Sequence, residues 1–220
     1  MPRTTLTLLS LLAVLAFGLS IVQADEPKTR GKAGDVLTPL AIGNTWVYAG
    51  DEDDLLTTDR IEGYVLFDGQ PWFLLRSYER EKNQPEDQNT SLYSDLWLAL
   101  IDGHECDAFV EASEEEESFG ALELGTVSQY YRYPATLGES YKPSADDPTM
   151  VMTVIGLNEK VKTKAGEFEC VVYRETSTED EDYTFTSYVA PGVGIVKNIT
   201  VDADGTYTSE LISYSLVEEE

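Results

Sequence analysis

The chain has 220 residues, with 41 Asp and Glu against 15 Lys and Arg, and a formal charge of −26. That balance excludes backbone recognition of nucleic acid, which needs a basic face, and polybasic docking on anionic lipid. Hydrophobic residues make up 42%, and 13 Tyr, 7 Phe and 3 Trp are too many for a wholly disordered chain.

Residues 1–24 read as a secretory signal peptide. Arg3 forms a short basic region, Leu6 to Val22 is apolar, and Val22 and Ala24 place small residues for cleavage between Ala24 and Asp25. The apolar stretch is shorter than the roughly 20 residues a bilayer span needs. No later run is long and apolar enough, so no stable membrane span is expected after cleavage. No Cys follows the cleavage site for lipid attachment. Residues 25–37, with Pro27, Gly31 and Gly34, read as a flexible leader, residues 38–217 as a single β domain, and residues 218–220 as an acidic tail. The expected location is periplasmic or extracellular.

From Trp46 onward the dominant period is two. Ile61, Gly63, Val65 and Phe67 alternate with their neighbours, Asp68-Gly69 makes a turn, and Trp72 to Tyr78 returns as the second arm of a hairpin. Ser91 to Ile101 ends at Asp102-Gly103, and His104 to Val110 is its return arm. Residues 111–123 read as an acidic loop. Further strands cover Val127 to Tyr133 and Met150 to Ile155. They are followed by the Lys160 row, the Phe168–Val172 segment and Tyr183 to Val189, then by Ile195 to Val201 and Tyr207 to Val217. The sum is an all-β chain with little helix. About ten strands pair in sequence as an antiparallel meander, and at this size the meander must curve strongly or form an open barrel.

One motif occurs twice. Pro39-Leu40-Ala41-Ile42-Gly43-Asn44-Thr45-Trp46 and Pro134-Ala135-Thr136-Leu137-Gly138-Glu139-Ser140-Tyr141 share a turn, an aliphatic plug, a Gly and an aromatic that opens a strand. Two similar corners are the favoured explanation, because the flanking sequences do not repeat; two similar halves of one sheet are the alternative.

The search for chemistry yields little. His104 is the single histidine and stands in Gly103-His104-Glu105-Cys106, where neighbouring strand residues point to opposite faces. It is expected to be a structural or an exposed residue. No nucleophile elbow, P-loop or dinucleotide fingerprint is present, and no cofactor is expected. Asp202-Ala203-Asp204-Gly205 opens like a calcium loop but has Ser213 where the closing acid should stand, so a turn is expected. An even cysteine count in an exported chain favours a Cys106–Cys170 bridge, with two separate buried thiols as the alternative. Lys160, Lys162 and Lys164 share one face of a strand, as an edge guarded against strand addition or as a docking strip for an acidic partner. Acids are too abundant for any catalytic carboxylate pair to stand out.

Lys164-Ala165-Gly166-Glu167-Phe168-Glu169-Cys170, Tyr188-Val189-Ala190-Pro191-Gly192-Val193-Gly194-Ile195-Val196-Lys197 and Glu210-Leu211-Ile212-Ser213-Tyr214 resemble a poorly characterised group of exported bacterial β-proteins. The opening Pro39 to Tyr48 resembles the usual start of that group. The likeness frames residues 37–217, and residues 80–125 match nothing in it. It implies a curved antiparallel sheet or open barrel, similar to periplasmic lipoprotein carriers, and no established activity.

The leading expectation is an exported, non-enzymatic envelope protein that binds a ligand or an envelope-protein partner. A small apolar ligand would lie on the concave face, against Trp46, Tyr48, Trp72, Trp97 and Tyr131. The alternatives are an interaction module with a side-chain-filled barrel and a hydrolase. The hydrolase would show at least two carboxylates converging in a cleft with perturbed pKa values.

Overall fold

The structure, a computed structural model, describes residues 35–50, 54–85, 91–108 and 127–217. The expected signal peptide and its cleavage site, most of the leader, the acidic loop at 111–123 and the acidic tail lie outside the described residues. Twelve strands and no helix are found among those described. The first six are β1 Thr45–Gly50, β2 Leu55–Phe67, β3 Gln70–Glu81, β4 Ser91–Ile101, β5 His104–Ala108 and β6 Val127–Tyr131. The second six are β7 Ser140–Tyr141, β8 Met150–Thr163, β9 Gly166–Ser177, β10 Thr184–Ala190, β11 Gly194–Asp202 and β12 Gly205–Ser215.

Turn chemistry sets the hairpins. Asp68 and Gly69 (φ 49° and 79°), like Asp102 and Gly103 (φ 53° and 82°), both take positive φ. That is the two-residue turn whose twist matches the flanking strands. The third Asp-Gly pair is built differently: Asp202 Oδ1 accepts from the backbone N–H of Asp204 at 2.8 Å and of Gly205 at 3.1 Å. The Asp202 carboxylate therefore closes its own turn, as the missing twelfth-position acid predicts.

All twelve strands form one antiparallel sheet in the order β6-β5-β4-β3-β2-β1-β12-β11-β10-β9-β8-β7. Two six-strand meanders run outward from a central seam, where the first strand pairs with the last, Thr45 opposite Ser215. The repeated sequence motif opens each half, and its two copies make the same bonds. Gly43 and Gly138 both have positive φ (95° and 81°). The Gly43 N–H donates to Ile61 O at 2.8 Å, and the Gly138 N–H to Val154 O at 2.9 Å. Ile61 N–H in turn donates to Asn44 O, and Val154 N–H to Glu139 O, each at 2.9 Å. The repetition is thus of six-strand halves as well as of corners. At the far side β7 has only two residues, and the sheet stays open as a ladder. Gln129 N–H donates across the gap to Pro143 O at 2.8 Å.

The sheet is strongly curved. β6 and β10 stand eight places apart in the order, which in a flat sheet is about 38 Å at roughly 4.8 Å per strand. Yet Tyr131 Oη on β6 donates to Ser187 Oγ on β10 at 2.9 Å. Only a sheet wrapped around its own interior brings those hydroxyls together. One large core cluster joins Trp46, Ile61, Phe73, Leu98, Val196 and Leu211, and a second gathers Tyr131, Tyr173, Val154, Val171 and Val189 with Leu37.

Three expectations need correction. The alternation through Ile61, Gly63, Val65 and Phe67 is broken. The β2–β3 register shifts between Ile61 and Gly63, so Ile61 and Tyr64 pack in the main core while Val65 turns to the opposite face. A bulge adds one residue on one strand and reverses the facing beyond it. The Cys106–Cys170 bridge is not formed: both thiols are free and buried, on strands eight places apart and in separate apolar clusters. Finally, the packed body reaches further toward the N-terminus than Thr38. Val36 and Leu37 are buried, and Gly192 N–H donates to the carbonyls of both at 2.8 and 3.0 Å. The Pro191-Gly192 turn, with Gly192 at φ 79° and Gly194 at φ 102°, is the seat of that segment.

Candidate ligand cavity

The concave side of the curled sheet holds a half-open cavity of about 230 Å³. Its walls come from both halves: Trp46 and Tyr48 on β1, Asp59 on β2, Leu75 on β3, Leu96 and Leu98 on β4, Glu105 and Asp107 on β5, Tyr130 and Tyr131 on β6, and Phe185 and Ile195 on β10 and β11, with Thr38 at one end. The aromatic walls are held from behind. Trp46 Nε1 donates to Val193 O at 2.7 Å, Tyr48 Oη to Ile195 O at 3.1 Å and Tyr131 Oη to Ser187 Oγ at 2.9 Å. The Tyr131 ring packs against Tyr173 and Tyr130 with centroids 4.9 and 5.5 Å away. Each polar tip is occupied, so the rings present their faces and edges to the space.

Three carboxylates share that space. On β5 the alternation sends Glu105 and Asp107 inward and Cys106 and Ala108 outward, and all four are buried. Asp59 accepts from Ser77 Oγ at 2.6 Å. Glu105 is 6% exposed; Thr38 supplies one hydrogen bond, and its Oε2 has no partner. Burial pushes the Asp59 carboxyl up to about 6, against the pull of the Ser77 bond. Burial likewise pushes Glu105 up to about 7, against Thr38, and Asp107 up to about 7, with added repulsion from Glu105 and Glu175. Glu175, 3% exposed, is the neighbouring acid and accepts from Tyr183 Oη at 3.1 Å. No Lys, Arg or His is found among the described residues lining the cavity. No group of three or more His, Cys, Asp or Glu among the described residues is placed to hold a metal ion.

Of the five aromatic residues singled out from sequence, Trp46, Tyr48 and Tyr131 line the cavity. Trp72 and Trp97 do not. They alternate with the inward Phe73, Leu96 and Leu98, and pack on the opposite face with Leu74, Ala99, Cys106 and Ala108. The lysine row is remote. Lys160 and Lys162 lie beyond the stretch of β8 that β7 pairs, opposite Glu169 and Glu167 on β9. Lys162 Nζ sits 3.1 Å from Glu167 Oε1, both side chains more than three-quarters exposed. Lys164 follows in the turn. This is a charged edge. His104 Nδ1 accepts from Tyr133 N–H at 3.1 Å, which gives it a structural role, and burial raises the Cys106 thiol to about 11, the opposite of an activated nucleophile.

The sequence reading missed Asp59, Glu105 and Asp107. The one local signal was two acids alternating with Cys106 and Ala108 on a short strand. In a chain with 41 acids that signal does not stand out.

No protein-family model and no curated protein sequence matches the chain. Two solved structures are similar to it. A protein of Bacteroides fragilis, described as exported and with a YmcC-like fold, aligns at a TM-score of 0.50 and 12% identity, over 82% of this chain and 99% of that one. The fold is shared. A protein of Parabacteroides distasonis described as a lipoprotein aligns at a TM-score of 0.47 and 11% identity, over 82% of this chain and 98% of that one.

Proposed function

We propose that this chain is an exported, non-catalytic binding protein that holds a small ligand inside its curled sheet. The cavity carries the reading: about 230 Å³ bounded by tied-back aromatic rings, two buried carboxylates, Glu105 and Asp107, and the half-buried Asp59. A barrel filled by its own side chains would leave no such space. The volume is below the range of drug-sized ligand pockets and suits a small ligand. The signal-peptide pattern of residues 1–24 and the fold shared with a protein described as exported support the location.

A hydrolase is the competing reading, favoured by one observation: carboxylates with raised pKa values share the cavity. Acid–base catalysis by a carboxyl pair needs environments that push the two groups apart, one protonated and one ionised. Here burial raises all three together, and an aromatic-walled space of this size has little room for both halves of a cleavable substrate.

The test is a titration of the exported chain with neutral, cationic and anionic fragments of that size, followed by amide chemical shifts. Binding shifts the amides of Tyr48, Tyr131 and Ile195. If none of the fragments moves them, the reading fails.

A further inference from the structure

We infer that the cavity selects an organic cation: an ammonium group on a short aromatic or aliphatic stem. The inference rests on the binding reading and deepens it. Three carboxylates face a space whose described lining contains no basic side chain. Among them Glu105 is 94% buried by exposure, and its Oε2 has no hydrogen-bond partner. A buried carboxylate oxygen without a partner is costly, and the group that would complete it is a hydrogen-bond donor, best a charged one.

The rest of the lining narrows the donor. Trp46, Tyr48 and Tyr131 offer ring surface to a cation, and Leu98 and Ile195 to the stem that carries it. A metal ion fits poorly, because no three ligating groups among the described residues converge and hard cations require several oxygens at close range. A purely apolar ligand, the class suggested by the aromatic content alone, would fill the space and leave the acids without water or partner. A neutral donor would complete one hydrogen bond and leave the charge uncompensated.

Two further features agree. The chain's charge of −26 concentrates cations around it. The groups facing Glu105 across the interior are Asp107 beside it on β5, Asp59 from β2, and the phenols Tyr48, Tyr131 and Tyr173, so every titratable group in the described lining around it is acidic. Burial holds Glu105 and Asp107 partly protonated at neutral pH. An entering ammonium would displace those protons to solvent, so its binding should release protons and strengthen as pH rises.

The probes are phenethylammonium and 2-phenylethanol, matched in size and differing in charge, with the larger 3-phenylpropanoate as the anion. They are titrated by calorimetry into the exported chain at low salt and neutral pH. The ammonium is expected to bind about tenfold or more tighter than the alcohol, and the carboxylate weakest. E105Q should weaken the ammonium by about tenfold and leave the alcohol within about twofold, with an unchanged circular-dichroism spectrum. D107N serves for the same comparison if E105Q does not fold. Binding of the alcohol as tight as the ammonium overturns the cation inference and leaves the binding reading standing. So does an unchanged ammonium affinity in the variant. No heat and no cavity shifts with any of the three overturns both.

Discussion

Replacing Glu105 by Gln isolates the electrostatics of the cavity, because the change removes a charge and almost no volume. Glu105 rises from 4.5 to about 7 on folding, chiefly through burial. A carboxyl raised in this way binds protons in the folded chain that the unfolded chain has already released. Stability therefore falls as pH climbs through that window, with its full value below about 4.5. The rise corresponds to a penalty of about 3 kcal/mol on the ionised form, at 1.36 kcal/mol per pH unit. Gln avoids that penalty. E105Q should be more stable than the natural chain by about 3 kcal/mol near pH 7.5 and unchanged near pH 4. For a chain of this length, that is a midpoint rise of roughly 6–12 °C. Urea titrations read by tryptophan fluorescence at the two pH values measure it. Comparing variant with parent at each pH cancels the general relief of repulsion that acid gives any strongly negative protein. An equal effect at both pH values, or a loss of stability at neutral pH, would refute the view that Glu105 is a desolvated, incompletely partnered carboxylate.

Other outcomes follow from the fold. Asn44 is 1% exposed; its Nδ2 donates to Pro39 O at 2.8 Å, and its Oδ1 accepts from Val217 N–H at 2.8 Å, tying the two ends of the domain together. Asn44→Ala leaves both backbone groups unpaired and should cost about 2–4 kcal/mol in urea unfolding. A change under about 1 kcal/mol would mean that water satisfies both. Native protein should resist a thiol reagent for both Cys106 and Cys170, and the denatured chain should release two thiols without any reductant; fewer would reveal a bridge. The two corner glycines should separate. Gly138→Ala meets open space and should cost about 1–2 kcal/mol for its positive φ. Gly43→Ala adds a contact to Val217 Cγ2 at 3.2 Å and should cost more, and the reverse order in thermal melts would contradict the packing at that corner.

Much of the architecture was legible residue by residue. The Asp68-Gly69 and Asp102-Gly103 turns are local chemistry: a pair that tolerates positive φ between alternating strands forms the same hairpin almost wherever it occurs. The all-strand character of the described residues, the curved sheet and the corner motif follow from similarly short stretches. β7 has no counterpart among the expected strands because it is only two residues long and leaves no period to detect.

What the sequence could not settle were questions of facing and of distant partners. Trp72 and Trp97 look as fit for a ligand wall as Trp46, yet each stands one residue out of phase with the inward Phe73 and Leu98, and which phase faces inward is decided only once the neighbouring strands pair. Asp59, Glu105 and Asp107 carry the cavity's chemistry and are indistinguishable from the chain's other acids until the sheet wraps. The pairing of β1 with β12 joins residues about 170 positions apart. Backbone conformation at a turn depends on the few residues that make it. The inside of a curled sheet exists only when its far strands approach, so local patterns give the strands, and the wrapping of the sheet decides which side chains share its concave space.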